Sequence, residues 1–283
     1  MNQFTFRNIL VPIDLSESSL NALDTAISLA VNKNAKIFLL HIDDEGMDFI
    51  VERNGIFNRP DHTNVISALA NSIFDKTGLH PVVMKKDGAV MPLIIKACVD
   101  NDCDLIIMGA HGASGYRNGF IGTNSYNVIK YAPCPVLTVP SGKKWTRFKN
   151  VVFPIRPVSG APMHYDIVKN FLSSYAQLHI LGLSYRLQVR DKNLLDESTL
   201  EFSSMFGEDK VNIKATWGNG NGIAEDVLMH SNKYNPDLLI ITSSLDVTNK
   251  PQFVGPNAQK IISSAKVPVL SIRKFSIPVA STN

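Results

Sequence analysis

The chain has 283 residues, of which 45% are hydrophobic and 19% charged, with a formal net charge of +3. That length and apolar content supply about two domains, whereas so small a charge excludes the basic footprint of a nucleic-acid binder, and no apolar run has membrane-spanning length. No segment reads as a signal peptide, and the three spaced cysteines, Cys98, Cys103 and Cys134, fit small buried hydrophobes in a reducing cytoplasm better than a disulfide framework.

In chain order, apolar runs with strand length and branching fall near residues 8–13, 36–42, 81–85, 104–109 and 135–139. Helical spacing separates them: Leu20, Leu23, Ala26, Ile27 and Ala30, with Ser16 or Ser18 as cap; then Val65, Ile66, Leu69 and Ile73; then Leu93, Ile94, Ala97 and Cys98; then Tyr126, Val128, Ile129 and Tyr131. This alternation, with strands too apolar to face water, predicts an α/β fold: an open parallel sheet with helices on both faces and right-handed crossovers.

The pattern then repeats. Asn8-Ile-Leu-Val-Pro-Ile-Asp14 returns as Asn150-Val-Val-Phe-Pro-Ile-Arg156, Asp104-Leu-Ile-Ile-Met108 as Asp237-Leu-Leu-Ile-Ile241, and Pro135-Val-Leu-Thr-Val139 as Pro268-Val-Leu-Ser-Ile272. Two homologous halves follow, read as two tandem five-stranded sheets. The join falls in the polar, basic stretch Ser141-Gly-Lys-Lys-Trp-Thr-Arg-Phe-Lys149, with domains at 1–143 and 144–283 and the cluster Lys143, Lys144, Arg147 and Lys149 a solvated face.

The richest stretch runs Gly109-Ala-His-Gly112-Ala-Ser-Gly115-Tyr-Arg-Asn-Gly119-Phe-Ile-Gly122-Thr123-Asn124-Ser125. It joins a strand to a helix start, where unpaired N–H groups favour anions and glycine lets phosphate approach the backbone. Valine at Gly109 or Gly122 is therefore expected to block the ligand and spare the fold. The spacing is neither that of a P-loop, which needs Gly-Lys-Ser/Thr, nor that of a dinucleotide fingerprint, since Ile223 stands where Gly218 and Gly220 would need a third glycine. Gly218-Asn-Gly-Asn-Gly222 reads as a flexible strand-to-helix turn.

Gly-x-x-Gly, nine residues, then Gly-Thr, together with Asp14 after the first strand, closely resembles the universal stress protein family in its ATP-binding form. The resemblance implies the strand order 3-2-1-4-5 in each half, which brings Asp14 and Gly109 to one crevice. It also implies nucleotide contacts from Pro12, Ile13 and Asp14, from Ile42 after the second strand, from Met108, Gly109 and Gly112, and from Gly122, Thr123, Asn124 and Ser125. Asn124 departs from the small apolar residue usual there, but its backbone N–H is the part used. Asp14 would repel a triphosphate and so belongs at the nucleoside end, while Arg117 suits phosphate charge. Other readings stay open: Asp14 capping the first helix, the glycines making a tight turn, Thr123 and Ser125 as N-caps, and His111 as a solvent-facing loop residue. His41 reads as a core or rim residue. No histidine has ligand spacing with Cys or Glu, so magnesium is expected only as a companion of the phosphates.

In the second half Arg156 replaces Asp14, Thr242 and Leu245 replace Gly109 and Gly112, and Pro256 and Ala258 replace Thr123 and Ser125. One ATP per chain is therefore expected, in a stress-response regulator whose second half is a non-binding partner. Because the family dimerises through the last strand, the two halves are expected to pair antiparallel through that strand, with a further homodimer left open. Protein partners are not legible. An ATPase or phosphotransfer enzyme, with Thr123 or Ser125 as acceptor and His111 assisting, and a nucleotide-independent scaffold are the alternatives. No nucleophile and base pair is visible, so catalysis has no warrant beyond slow hydrolysis.

Overall fold

A computed structural model describes residues 6–43, 51–52, 55–56, 63–111, 122–156, 164–184, 189–206, 210–242, 245 and 254–273. The first half runs β1 (Asn8–Pro12), α1 (Glu17–Lys33), β2 (Lys36–Asp43), the two-residue antiparallel pair β3 (Val51–Glu52) and β4 (Gly55–Ile56), α2 (Thr63–Thr77), β5 (Val82–Asp87), α3 (Val90–Asp100), β6 (Leu105–Gly109), α4 (Thr123–Tyr131) and β7 (Val136–Val139). The second runs β8 (Asn150–Ile155), α5 (Tyr165–Phe171), β9 (Gln177–Gly182), α6 (Val189–Met205), β10 (Asn212–Trp217), α7 (Ile223–Tyr234), β11 (Leu238–Thr242), α8 (Pro256–Ser264) and β12 (Val269–Ile272).

The local reasons are those the sequence carries. Helix α1 starts at Ser16, whose side chain accepts from Ser19 N, stops at Asn34 with φ 53°, and buries Ala22, Leu23, Ala26, Leu29 and Ala30 between those caps. Strands β1 and β6 are covered on both faces, so Ile9, Leu10, Val11, Leu105, Ile106 and Ile107 are all at 0% exposure. At the rim, β5 departs from the expectation that every strand is too apolar to face water: Val82 and Val83 are exposed. Lys85, Lys86 and Asp87 blunt that edge with charge.

Both halves adopt the order third, second, first, fourth, fifth: β5-β2-β1-β6-β7 and β10-β9-β8-β11-β12. All neighbouring pairs within these two five-strand orders are parallel. The same clasp fixes the first and fourth strands of each half, which is why Asp recurs in both copies, and Asn recurs because Asn8 Nδ2 donates to Asn101 O at 3.0 Å and Asn150 Nδ2 to Tyr234 O at 2.8 Å. Asp104 Oδ2 accepts from Arg7 N and Asn8 N, and Asp237 Oδ2 accepts from Lys149 N and Asn150 N. Right-handed crossovers put α1 and α2 on one face and α3 and α4 on the other, in keeping with α3 packing on α4 and α7 on α8.

Two tandem five-stranded sheets were expected; they are continuous, forming one sheet of ten strands. Strands β7 and β12 pair antiparallel, Val269 opposite Thr138, Leu270 opposite Leu137 and Ser271 opposite Val136, and Thr138 Oγ1 donates to Val269 O at 3.2 Å. Each half alone would leave a row of unpaired N–H and C=O groups on its last strand, so their pairing satisfies both edges. Phe6 meets Phe171 edge to face at 4.9 Å across the same boundary. The join is anchored: Trp145 and Phe148 are buried, Lys144 pairs with Asp24 at 2.7 Å and Ser28 Oγ donates to Thr146 O at 2.6 Å. Its basic side chains are exposed, as expected of a solvated face.

The cysteines are buried as expected, but they are not separate: Cys98 Sγ lies 3.4 Å from Cys134 Sγ, and burial pushes the Cys134 thiol up. Gly218–Gly222 is the expected turn, held where Asp226 Oδ2 accepts from Gly220 N at 2.9 Å. Among the described residues no helix is long and apolar enough to cross a membrane.

Acid should weaken the second half selectively. His179 and His230 lie over Tyr234 at 4.9 and 4.4 Å. Burial lowers both imidazole pKa values, helped by Lys214 at His179 and by His179 and Lys233 at His230, where Asp226 opposes. With folded values below the unfolded value of about 6.5, the folded state binds fewer protons. The stability these residues contribute is complete above that value and falls as pH drops from it through the folded values. The urea midpoint should be lower at about pH 5.5 than at about pH 7.5, and His230→Gln should shrink the difference. An unchanged gap in the variant would remove His230 from the account.

Candidate functional site

Strand β1 neighbours both β2 and β6, and the chain leaves it in opposite directions on the two sides. That reversal makes the carboxyl ends of β1 and β6 the switch point of the first half, where open α/β sheets bind ligands. Pro12 closes β1, and Ile13 extends its ladder by donating to Leu40 O at 2.8 Å. The backbone then turns through Leu15 at φ 63°, a left-handed conformation that a branched residue seldom adopts. The turn brings Asp14 back onto α1: Oδ1 accepts from Ser16 N at 3.0 Å and from Ser16 Oγ at 2.5 Å. Asp14 is exposed and is not the helix cap; Ser16 is, and Asp14 braces it.

On the neighbouring strand, Met108 is buried and Gly109 closes β6. The reason for glycine at 109 differs from the one expected. A Cβ there would lie 2.5 Å from Ser18 Oγ, 3.0 Å from Ser19 N and 3.1 Å from Ser18 C. The missing side chain makes room for the first turn of α1, so valine at 109 would not spare the fold. Ser18 Oγ in turn donates to His111 O, and His111 is half-buried rather than solvent-facing.

Helix α4 completes the crevice. Gly122 is its N-cap and no side chain caps it, so neither Thr123 nor Ser125 is a plain N-cap. Thr123 and Asn124 are exposed at the first helical turn. Ser125 is buried and its Oγ donates to Gly109 O at 3.0 Å, pinning the helix start to the end of β6. Gly122 N donates to Ala110 O at 3.4 Å. Among the described residues a Cβ on Gly122 would meet nothing nearer than Ala110 O at 3.5 Å, and φ −57° suits any residue. Among the described residues nothing there requires glycine.

Ile42 is half-buried on β2, beside His41. As expected, His41 is a core residue: Nδ1 donates to Ile13 O at 2.9 Å, and Nε2 lies 3.2 Å from Asp43 Oδ1. Desolvation raises the Asp43 pKa, but Lys85 and His41 outweigh it and hold the carboxyl below its ordinary value. Gly112 and Arg117 lie outside the described residues. Sequence reasoning named Ser18 only as a possible helix cap, a place that Ser16 takes, and missed the fit of Ser18 and Ser19 against Gly109, which carries no local signal. Among the described residues no group of three or more His, Cys, Asp or Glu could hold a metal ion.

At the equivalent end of the second half the fittings differ. Thr242 is buried at the end of β11, Leu245 is at 0% exposure, and α8 begins with Gly255 and then Pro256, which has no N–H.

Residues 5–140 match the model of the universal stress protein family. The chain is similar to universal stress protein YxiE of Bacillus subtilis (strain 168), 27% identical over 146 residues, which cover 47% of this chain and 99% of that protein. Over both halves it resembles the crystal structure of a universal stress protein from Archaeoglobus fulgidus DSM 4304, with TM-score 0.68 and 18% identity over 95% of this chain and 97% of the other, a likeness of fold. A universal stress protein solved in complex with cAMP aligns with 48% of this chain and 98% of its own, at 23% identity and TM-score 0.38.

Proposed function

We propose that the first half of this chain, residues 1–143, of which residues 5–140 match the model of the universal stress protein family, binds ATP at the exits of β1 and β6. In this reading the chain is a nucleotide-responsive stress regulator in the cytoplasm, and residues 144–283 form a built-in, non-binding partner. The observation that carries the reading is Gly122. Neither its φ nor its described neighbours ask for glycine, and Ser, Asp or Asn would cap α4 better. Leaving the position bare forgoes that cap and opens the positive end of α4 to an anion.

Pro12, Ile13, Asp14 and Ile42 serve the adenine and ribose end in this reading. Met108, Gly112, Arg117, Gly122, Thr123, Asn124 and Ser125 serve the phosphate end, with Gly109 shaping the crevice by seating α1 and Ser125 by tying α4 to β6. ATP would supply the negative charge that the start of α4 attracts, and magnesium would arrive with its phosphates. The full chain should bind one ATP in a calorimetric titration, because Arg156, Leu245 and Pro256 oppose a second. Two equivalent sites would overturn the assignment of the second half.

Asp14 tests the nucleoside end. Asp14→Asn keeps an oxygen to accept from Ser16 N but removes the charge, and should weaken ATP by roughly 1.5 to 3 kcal/mol, the scale of a hydrogen bond to a charged group. Inorganic triphosphate should be bound no more weakly than by the parent. Equal losses for both ligands would mean that Asp14 acts on the phosphates or only on the fold.

A further inference from the structure

The ladders that open the two halves do not end alike. In the second half β8 and β9 stay paired as far as Ile155 opposite Gly182, and Leu183 N donates to Ile155 O at 2.9 Å. In the first half the pairing of β1 with β2 stops one step earlier, at Pro12 opposite Leu40. The carbonyl of Ile13, equivalent to that of Ile155, is taken by a side chain: His41 Nδ1 donates to it at 2.9 Å. The imidazole stands in for the backbone N–H of Ile42, the residue equivalent to Leu183.

The cause lies at one position. Gly182 stands where the first half has His41, and a Cβ there would lie 2.7 Å from Leu195 Cδ2 and 2.9 Å from Trp217 Cε3, so in the second half other side chains fill the space of the ring. In the first half the ring is buried and braced from its far side. Asp43 Oδ1 lies 3.2 Å from Nε2, and Lys85 holds the other carboxylate oxygen at 3.1 Å. A ring fixed at both nitrogens keeps its orientation.

The consequence falls on Ile42. In a parallel ladder the N–H and C=O of one residue point to the same side, and successive residues alternate. Lys36 N donates to Arg7 O and Leu40 O accepts from Ile13 N, so the even-numbered residues of β2 face β1. Ile42 follows that alternation, but opposite it the chain turns away through Leu15 at φ 63°. Its N–H and C=O therefore lie side by side at the exit of β1, a donor beside an acceptor. Adenine offers the complement, N1 accepting and the 6-amino group donating, whereas guanine offers O6 accepting and N1–H donating.

We propose that His41 is a positioning residue that sets the choice of nucleobase: by taking the Ile13 carbonyl it keeps the Ile42 N–H out of the ladder and turned to an adenine edge. This rests on the reading that the first half binds ATP, and it explains why only one half presents such an edge. In the other, Leu183 N is engaged.

The test combines amide hydrogen exchange, followed by NMR, with calorimetric titration of ATP and GTP into the full chain. In the ligand-free parent the Ile42 amide should exchange at least about tenfold faster than that of Leu183, since only the latter is held in a ladder, and ATP should slow it. ATP should bind at least about tenfold more tightly than GTP, whose edge leaves the Ile42 groups unmatched. His41→Leu removes the competing donor, so the ladder closes: Ile42 becomes protected and ATP weakens by at least about fivefold. His41→Asn keeps a donor at the place of Nδ1 and should retain both the fast exchange and the ATP affinity. If His41→Leu does not fold, the exchange of Ile42 in the parent and the preference for ATP decide. Equal affinity for ATP and GTP, or unchanged exchange and ATP affinity in His41→Leu, would overturn the proposal. A parent that binds no ATP would overturn the nucleotide reading and the base edge with it, whereas an Ile42 amide as protected as that of Leu183 in a parent that binds ATP would overturn this proposal alone.

Discussion

Gly122→Val should yield a folded chain that no longer binds ATP, whereas Gly109→Val should yield a chain that loses its fold. The two glycines bracket the same loop, yet their surroundings assign them opposite consequences. At Gly109 even a methyl group would sit 2.5 Å from Ser18 Oγ and 3.0 Å from Ser19 N, so the start of α1 must lift off β6. That movement also strains the bond from Ser18 Oγ to His111 O. Forced overpacking of a core costs about 1–3 kcal/mol and sometimes more; with backbone as the obstacle, a loss of about 3 kcal/mol or more is expected. At Gly122 the nearest atoms of the described residues are at ordinary contact distance, and valine is merely a poor N-cap, costing about 1 kcal/mol. Its methyl groups would occupy the approach to the first N–H groups of α4, so calorimetry should register no ATP binding while the urea midpoint moves little. A Gly122→Val chain that binds ATP like the parent would remove the glycine loop as the site. A Gly109→Val chain as stable as the parent would mean that α1 does not rest on that glycine.

What the sequence could convey depended on whether the cause of a feature was local. Strands β1, β2 and β6 were legible because burial leaves at least four apolar residues in a row, and α1 because Ser16 and a 3.6-residue apolar stripe announce it. The repeat was legible because Asn8 with Asp104, and Asn150 with Asp237, make the same clasp twice. Distant partners were not. Nothing near Gly109 indicates that Ser18 and Ser19 pack onto it, so phosphate approach or a tight turn seemed the reasons for a glycine. The helix α6 has weak amphipathic character, burying Leu195 and Phe202 within an otherwise polar run, and gave no periodic signal. Cys98 and Cys134 lie 36 positions apart, and only the packing of α3 beside the start of β7 brings their sulfurs together. Of the candidate site, Asp14 and the start of α4 were legible as one crevice through the strand order, while the division of labour between Gly109 and Gly122 needed coordinates.

Proline at Leu137 should break the molecule at its centre. Leu137 lies in register with Ile107 of β6 and Leu270 of β12, and all three are at 0% exposure. Since β7 has a neighbour on each side, the lost N–H removes a bond from an interior ladder, and the ring has no solvent edge to occupy. Disruption by proline within regular structure costs about 3 kcal/mol or more, a large part of the roughly 5–15 kcal/mol that holds a typical domain. The β7 and β12 ladder is also the seam of the ten-stranded sheet, so its rupture exposes Leu137, Leu270 and the aliphatic faces of α4 and α8 together. Small-angle scattering should find the parent chain as one compact body and Leu137→Pro as an expanded one, with a single cooperative urea transition in the parent becoming earlier and broader in the variant. Thr138→Val is the milder companion: it removes only the hydroxyl bond to Val269 O and should cost about 1 kcal/mol while leaving the scattering profile compact. Two loosely linked bodies in the unmodified chain would refute the shared sheet, because a ladder of buried backbone bonds between the halves leaves them no freedom to move independently.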